Sequence, residues 1–308
     1  MALTPESMME ARKSNPVSGV LWMLAAGMMF VGVNALVKSL GTALPSTQAA
    51  FLRFSLGLLI LIPLVPRLLA MRLAARQWRL IAVRGAVHSV GVALWFYAMA
   101  RIPIADVTAM NYLSPILITI GAALFLGERL ASRRIMAVIC GLIGAFIILR
   151  PGLREIGPGH LAMLGTATCF AASYMISKRL SDDVDALVIV AMLSITVSIG
   201  LLPLALPVWV PPSLGQLGQL FLVAVLATLG HYFMTLAFKA APMTVTQPVT
   251  FLQLVWAVSL GAFVFDEPVD PFVVLGGVLI LSSVTFITWR EAVLKRRQIT
   301  PPSVATKV

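Results

Sequence analysis

The chain is 308 residues long, 59% hydrophobic and only 11% charged, with a mean hydropathy of +0.97 and a formal net charge of +11. A soluble domain of this length carries about a quarter charged residues, so the composition excludes one, and with it the reading of the positive charge as a nucleic-acid footprint. Apolar runs of about twenty residues between short polar breaks predict transmembrane helices, because lipid offers backbone groups no water and only helices or closed barrels span it.

In chain order the spans fall at 17–37, 47–66, 80–99, 103–126, 133–150, 158–177, 186–206, 218–238, 243–265 and 271–289. The expected fold is all-α and polytopic, with ten transmembrane helices. The first span follows Arg12 and Lys13, exceeds the apolar core of a signal peptide and lacks a small-residue cleavage site, so it reads as retained. With both termini cytoplasmic, only Lys38, Arg53, Arg101, Arg150 and Arg154 fall outside, leaving eighteen of the 23 basic residues inside. That bias is the positive-inside pattern of an inner-membrane, multi-pass protein. Cys140 and Cys169 both lie in apolar spans, so no disulfide framework is implied.

The chain also repeats itself. Residues 21–40 lie over 161–180 with an offset of 140, matching Leu21 to Leu161, Met23 to Met163, Phe30 to Phe170 and Lys38 to Lys178. At an offset of 139, Gly91 meets Gly230, Ala98 meets Ala237, Pro103 meets Pro242 and Glu128 meets Glu267. Five spans per half is an odd number, so the second half enters the membrane upside down. The expected layout is a cytoplasmic segment 1–16, a five-helix repeat 17–152, its inverted partner 153–290 and a basic cytoplasmic tail 291–308. Inverted repeats around a midplane site are how secondary transporters achieve alternating access.

Four stretches carry a family resemblance. FLRFSLGLLIL (51–61) opens the second span, YLSPILITIGAALFLGERL (112–130) is an apolar helix closed by Gly-Glu, and GLIGAFIILRPG (141–152) ends the half. QPVTFLQLVWAVSLGAFVFDEPV (247–269) repeats the pattern with Asp-Glu for Gly-Glu. Together these resemble the EamA group of the drug/metabolite transporter superfamily over nearly the whole chain. Within it the chain looks most similar to amino-acid exporters, the aromatic type included. The resemblance implies ten spans in two inverted repeats and export of amino acids and related metabolites. The chain departs from the pattern where Pro115 has Leu254 as its counterpart.

Polar residues inside the spans are the candidates for the pathway. His88, Gly91 and Trp95 share one helical face, where His88 meets a cavity or a neighbouring polar group and Gly91 leaves room for a ligand or for a close helix crossing. Phe30, Asn34 and Lys38 recur as Phe170, Tyr174 and Lys178. Asn34 and Tyr174 either address a zwitterion or join helices, and the lysines snorkel to opposite interfaces. The fourth span presents Thr108, Asn111 or Tyr112, then Pro115 and Thr119, and its counterpart presents Thr246, Thr250 and Gln253. Pro115 and Pro248 mark expected unwinding, where transporters place sites. The eighth span adds Thr228, His231 and Thr235. Trp256 and Trp95 offer stacking surfaces, though tryptophan also serves as an anchor. Glu128 either contacts Arg133 or Arg134 as part of a gate or is a solvated loop charge, which is also the expectation for Glu267. Arg53 either meets a substrate carboxylate or pins a helix end, the second being preferred.

All twelve acids can be placed at or near span ends, which argues against a proton-driven multidrug pump, because that chemistry needs a carboxylate at mid-membrane. Facilitated export of an amino acid or similar zwitterion is the simpler expectation. A proton-coupled exporter of drugs or other metabolites, working through His88 or His231, is the alternative. No phosphate loop, metal motif or H-E-x-x-H occurs, so neither an enzyme nor a cofactor is expected. The expected partners are the small-molecule substrate and the bilayer, without nucleic acid, around a monomer. The orientation is tested by labelling a single cysteine placed beyond residue 300 in whole cells. A membrane-impermeant maleimide should react only after permeabilisation.

Overall fold

The computed structural model describes residues 16–114, 116–117, 120–121, 132–150, 155–180, 184–240, 249 and 251–299. Among them, eleven α-helices follow one another: α1 (Pro16–Leu40), α2 (Ser46–Ile60), α3 (Val65–Ala70), α4 (Ala75–Met99), α5 (Ile104–Asn111), α6 (Ser132–Leu149), α7 (Pro158–Leu180), α8 (Ala186–Ala205), α9 (Leu214–Ala240), α10 (Phe251–Val264) and α11 (Pro271–Ile299). Four stretches, Val17–Leu40, Ala75–Met99, Leu187–Val208 and Leu214–Met234, are long and apolar enough to cross a bilayer alone. The fold is the all-helical, polytopic one expected.

Local chemistry sets the helix ends. Gly41 stops α1 with a φ of +57°, and its N–H bonds the Lys38 carbonyl at 3.0 Å. The second helix ends at Ile60, short of the expected 66, because Pro63 and Pro66 lack the N–H groups that would continue it. The chain turns instead through a 3-10 segment into the short α3. Pro103 separates α4 from α5. The Asp185 carboxylate accepts the Leu187 N–H at 2.9 Å and caps α8. At the other end of the chain, α11 runs ten residues past the expected 289, to Ile299. Residues 290–299 contain neither Gly nor Pro and are mostly good helix formers, so the basic tail begins as helix.

The packing has the symmetry of the repeat. The most extensive pairings are α1 with α9, α4 with α7, and α6 with α11, followed by α2 with α8. Exchanging the two halves converts the first pairing into the second and leaves the other two unchanged. Matched residues meet at both symmetric crossings. A Cβ on Gly91 would lie 2.9 Å from the Phe170 ring, and one on Gly230 would lie 3.1 Å from the Phe30 ring. Two small side chains bring α6 and α11 closer still: a Cβ on Gly276 would be 2.5 Å from the Gly144 carbonyl oxygen, and one on Gly144 would be 2.7 Å from the Gly276 oxygen.

Polarity is arranged inside out relative to a soluble protein. Leu21, Phe146, Ile199 and Phe263 are exposed, whereas Gln48, Arg84, His88, Asp106 and His160 are buried. An outward apolar belt of this kind needs lipid around it. Because backbone cannot yield at the α6–α11 crossing, Gly276→Ala should destabilise the protein by about 1–3 kcal/mol. Thermal unfolding in detergent micelles measures it, with the exposed Gly218, which has open space around its Cβ position, as the neutral control.

Candidate functional site

The polar centre grows from α4. Its middle turns carry Arg84 and His88 on one buried face, and α7 lies across it. The His88 ring stacks on Phe170 with centroids 4.8 Å apart, and the Phe54 ring from α2 meets it edge-on at 6.3 Å. Its Nδ1 lies 3.1 Å from Ser173 Oγ, one turn along α7 from Phe170. Tyr174 meets Phe170 at a tilt with centroids 6.1 Å apart and is itself exposed. The Arg53 guanidinium sits over the Phe54 ring, 3.9 Å from its centroid. Arg84 donates Nη1 to the Ile189 carbonyl at a long 3.3 Å, while its Nε is buried without a hydrogen bond.

A second aromatic group forms at the symmetric crossing. His231 on α9 meets Phe30 edge-on at 5.2 Å. Gly27, one turn before Phe30, is covered by Gln253 and Trp256 of α10. Asn34 lies one turn beyond Phe30 on the same helical face.

The predicted residues are thus brought together unevenly. Gly91 leaves no room for a ligand here: Cys169 and Phe170 occupy the space, and its carbonyl accepts a hydrogen bond from Thr166 Oγ1 at 3.2 Å. It is the close helix crossing. Trp95 shares the face of His88 but packs edge-on against Phe96 at 5.3 Å, away from the histidine. Asn111 closes α5, and Tyr112 forms the turn after it. On α5 and just beyond it, Thr108 Oγ1, Asn111 Oδ1 and Ser114 Oγ are buried without hydrogen bonds among the described residues. Pro115, Thr119, Glu128, Thr246, Pro248 and Thr250 lie outside the described residues, as do the side chains of Arg133, Arg134, Lys178 and Thr235.

One end of the bundle is fastened by ion pairs that the sequence did not announce. Lys38 was expected to snorkel and Glu267 to be a solvated loop charge, but Lys38 Nζ lies 2.7 Å from Glu267 Oε1 and 2.7 Å from the Ile102 carbonyl. The other Glu267 oxygen accepts the Ile104 N–H at 2.9 Å. Asp266, at a φ of +52°, turns the chain so that the Glu267 carboxylate folds back over Gly261, whose missing side chain makes the space. This contact ties α1, the α4–α5 junction and α10 together. Nearby, Arg150 pairs with Asp270, and buried His160 Nε2 lies 3.0 Å from Asp106 Oδ2.

The comparisons agree with this architecture. Residues 17–150 and 157–289 each match the EamA-like transporter family. The chain belongs to that family. An EamA-like relative from Vibrio cholerae named riboflavin transporter is 33% identical over 93% of this chain and 98% of its own length. Another, from Rickettsia prowazekii, is named S-adenosylmethionine uptake transporter and is 26% identical over 89% and 94%. A crystal structure at 19% identity superposes with a TM-score of 0.59 over 92% of this chain and 99% of that one, a likeness of fold. Membership therefore stands at the level of a membrane transporter family, while these relatives carry names other than aromatic amino-acid exporter.

Removing one partner of the Lys38–Glu267 pair leaves a charge without compensation in a mostly excluded site. Lys38→Met and Glu267→Gln should each destabilise the protein by about 1–3 kcal/mol, given partial solvent screening. The double variant should lose clearly less than the two losses combined. Thermal unfolding of the four proteins closes the cycle.

Proposed function

We propose that this EamA-like transporter carries a small polar metabolite built on a flat aromatic or heteroaromatic ring. The observation that supports it is the aromatic stack at the crossing of the repeats, where His88 lies on Phe170 and against Phe54, with Phe30 and His231 opposite. Ring pairs stacked offset or meeting edge-on contribute beyond the area they bury, which favours a ring-bearing solute at such a site. The unsatisfied groups of Thr108, Asn111 and Ser114 give hydrogen-bonding capacity to the polar part of such a solute. Riboflavin, named for one relative, is a ring-bearing solute of this class, and so are the aromatic amino acids.

The transport cycle follows from the inverted repeat. Lys38 and Glu267 close the end that the charge bias assigns to the outside of an inner membrane, with both termini cytoplasmic. Their repeat counterparts are Lys178 and Glu128, which belong to the opposite end. In the alternate conformation the Lys38–Glu267 end opens and the opposite end closes, so the solute meets one side at a time. The driving force is the solute's own gradient, and a single chain suffices for the cycle.

Flux into and out of proteoliposomes tests this reading. Riboflavin or tryptophan should move saturably without an ion gradient, leucine should not, and Phe170→Ala should cut the flux about tenfold or more. Equal leucine flux would overturn the ring requirement. Flux that appears only under an imposed pH difference would replace facilitation with proton coupling.

A further inference from the structure

Two arginines sit in this centre without a counterion among the described residues. Arg84 is one turn from His88, 7% exposed, with one long hydrogen bond to a carbonyl and a buried Nε that has no partner. Arg53 is seven residues into α2, about 10 Å from its start at 1.5 Å per residue. Its polar head rests on the Phe54 ring, and Phe54 in turn meets His88. Arg53 through Phe54 and Arg84 along α4 both adjoin His88, so three basic side chains from two helices share one region.

Among the described residues no acid pairs with them. Glu267 is engaged with Lys38, Asp270 with Arg150, Asp106 with His160 and Asp185 at the cap of α8, while Glu155 and Asp266 lie in the connections before α7 and after α10. The sequence has no carboxylate in the middle of any span that could serve instead. A guanidinium held in a medium of low polarity is costly unless an anion meets it. Its planar fork matches the two oxygens of a carboxylate or a phosphate.

We propose that Arg53 and Arg84 together form an anion-binding subsite, and that the transported solute presents a carboxylate or phosphate group to it. The inference rests on the ring-solute reading above and narrows it. The ring lies against Phe170 and Phe54 while the acidic group reaches the two guanidinium groups. Riboflavin, which is uncharged, satisfies only the first half. An aromatic amino acid or a flavin phosphate satisfies both.

The test uses the full-length protein in detergent and ligand pairs that differ in the acidic group: tryptophan against tryptamine, and riboflavin 5′-phosphate against riboflavin. Equilibrium binding should favour the acidic member of at least one pair by about tenfold or more, the ratio that charged hydrogen bonds supply. Arg84→Gln and Arg53→Gln should each reduce that preference to about twofold, leaving the affinity for the other member in place. Arg84→Lys, which keeps the charge and loses the fork, should retain an intermediate preference. Inorganic phosphate alone should compete with the acidic member and raise the wild-type melting temperature, but not that of the glutamine variants.

Equal binding within both pairs would overturn the proposal, and this comparison needs only wild-type protein. Equal binding with stabilisation by inorganic phosphate would place a free anion at the arginines and overturn the assignment to the solute. If ring-free carboxylates bind as well as tryptophan and still depend on both arginines, the ring reading fails while the anion subsite stands.

Discussion

A membrane interior gives a polar side chain no water to fall back on, and that constraint organises this molecule. Every charge or hydrogen-bonding group held in the bundle must find its partner there. Most do so in an economical way. Thr168, Ser194, Ser198, Thr228 and Ser283 return their hydroxyls to the carbonyl one turn back on their own helix. Gln48 bonds both the carbonyl and the N–H of Val210, holding the α8–α9 connection against α2. Lys38, Arg150 and His160 take carboxylates. Against that background Arg84, with its one long hydrogen bond, and the polar groups on and just beyond α5 stand apart among the described residues.

The repeat gives the centre its shape. Because α1 and α7 are counterparts, as are α4 and α9, each half contributes a phenylalanine to a glycine of the other half. Those two crossings set the histidines on opposite aromatic faces. Small residues act here as they do in other membrane interfaces, by letting backbones approach until neighbouring side chains interlock. The α6–α11 crossing, where a Cβ on either glycine would run into the opposing glycine's carbonyl oxygen, is the backbone-to-backbone version.

Much of this was legible in the sequence, and the reasons divide cleanly. Span positions followed from apolar run length, since lipid permits little else. The repeat followed from ordered matches, and the pairing of Phe30 with Gly230 and of Phe170 with Gly91 gives those matches a shared contact. His88 stood out as an intramembrane imidazole. What the sequence concealed was partner choice. Helical periodicity placed Gly91 on the His88 face but could not say that Phe170 fills the space. Arg84, one turn away on the same face, was visible as a neighbour, yet its missing counterion emerges only once every nearby acid is accounted for. Lys38 and Glu267 are 229 positions apart and meet because an αL residue at Asp266 reverses the chain. A single sequence carries no mark of such a contact. The substrate was the least legible of all, since stacking faces accept many rings.

The Lys38–Glu267 contact bears on how this protein responds to voltage. Its two charges are opposite, meet at the same end of the bundle and so lie at nearly the same depth. Moving a unit charge through the full field involves about 2.3 kcal/mol per 100 mV, but separating a neutral pair sideways moves almost no net charge along that field. In the proposed cycle, opening this contact is therefore an electrically silent step on which the membrane potential has little leverage. Under the same proposal, voltage dependence originates with Arg53, Arg84 and the charge of the solute they meet.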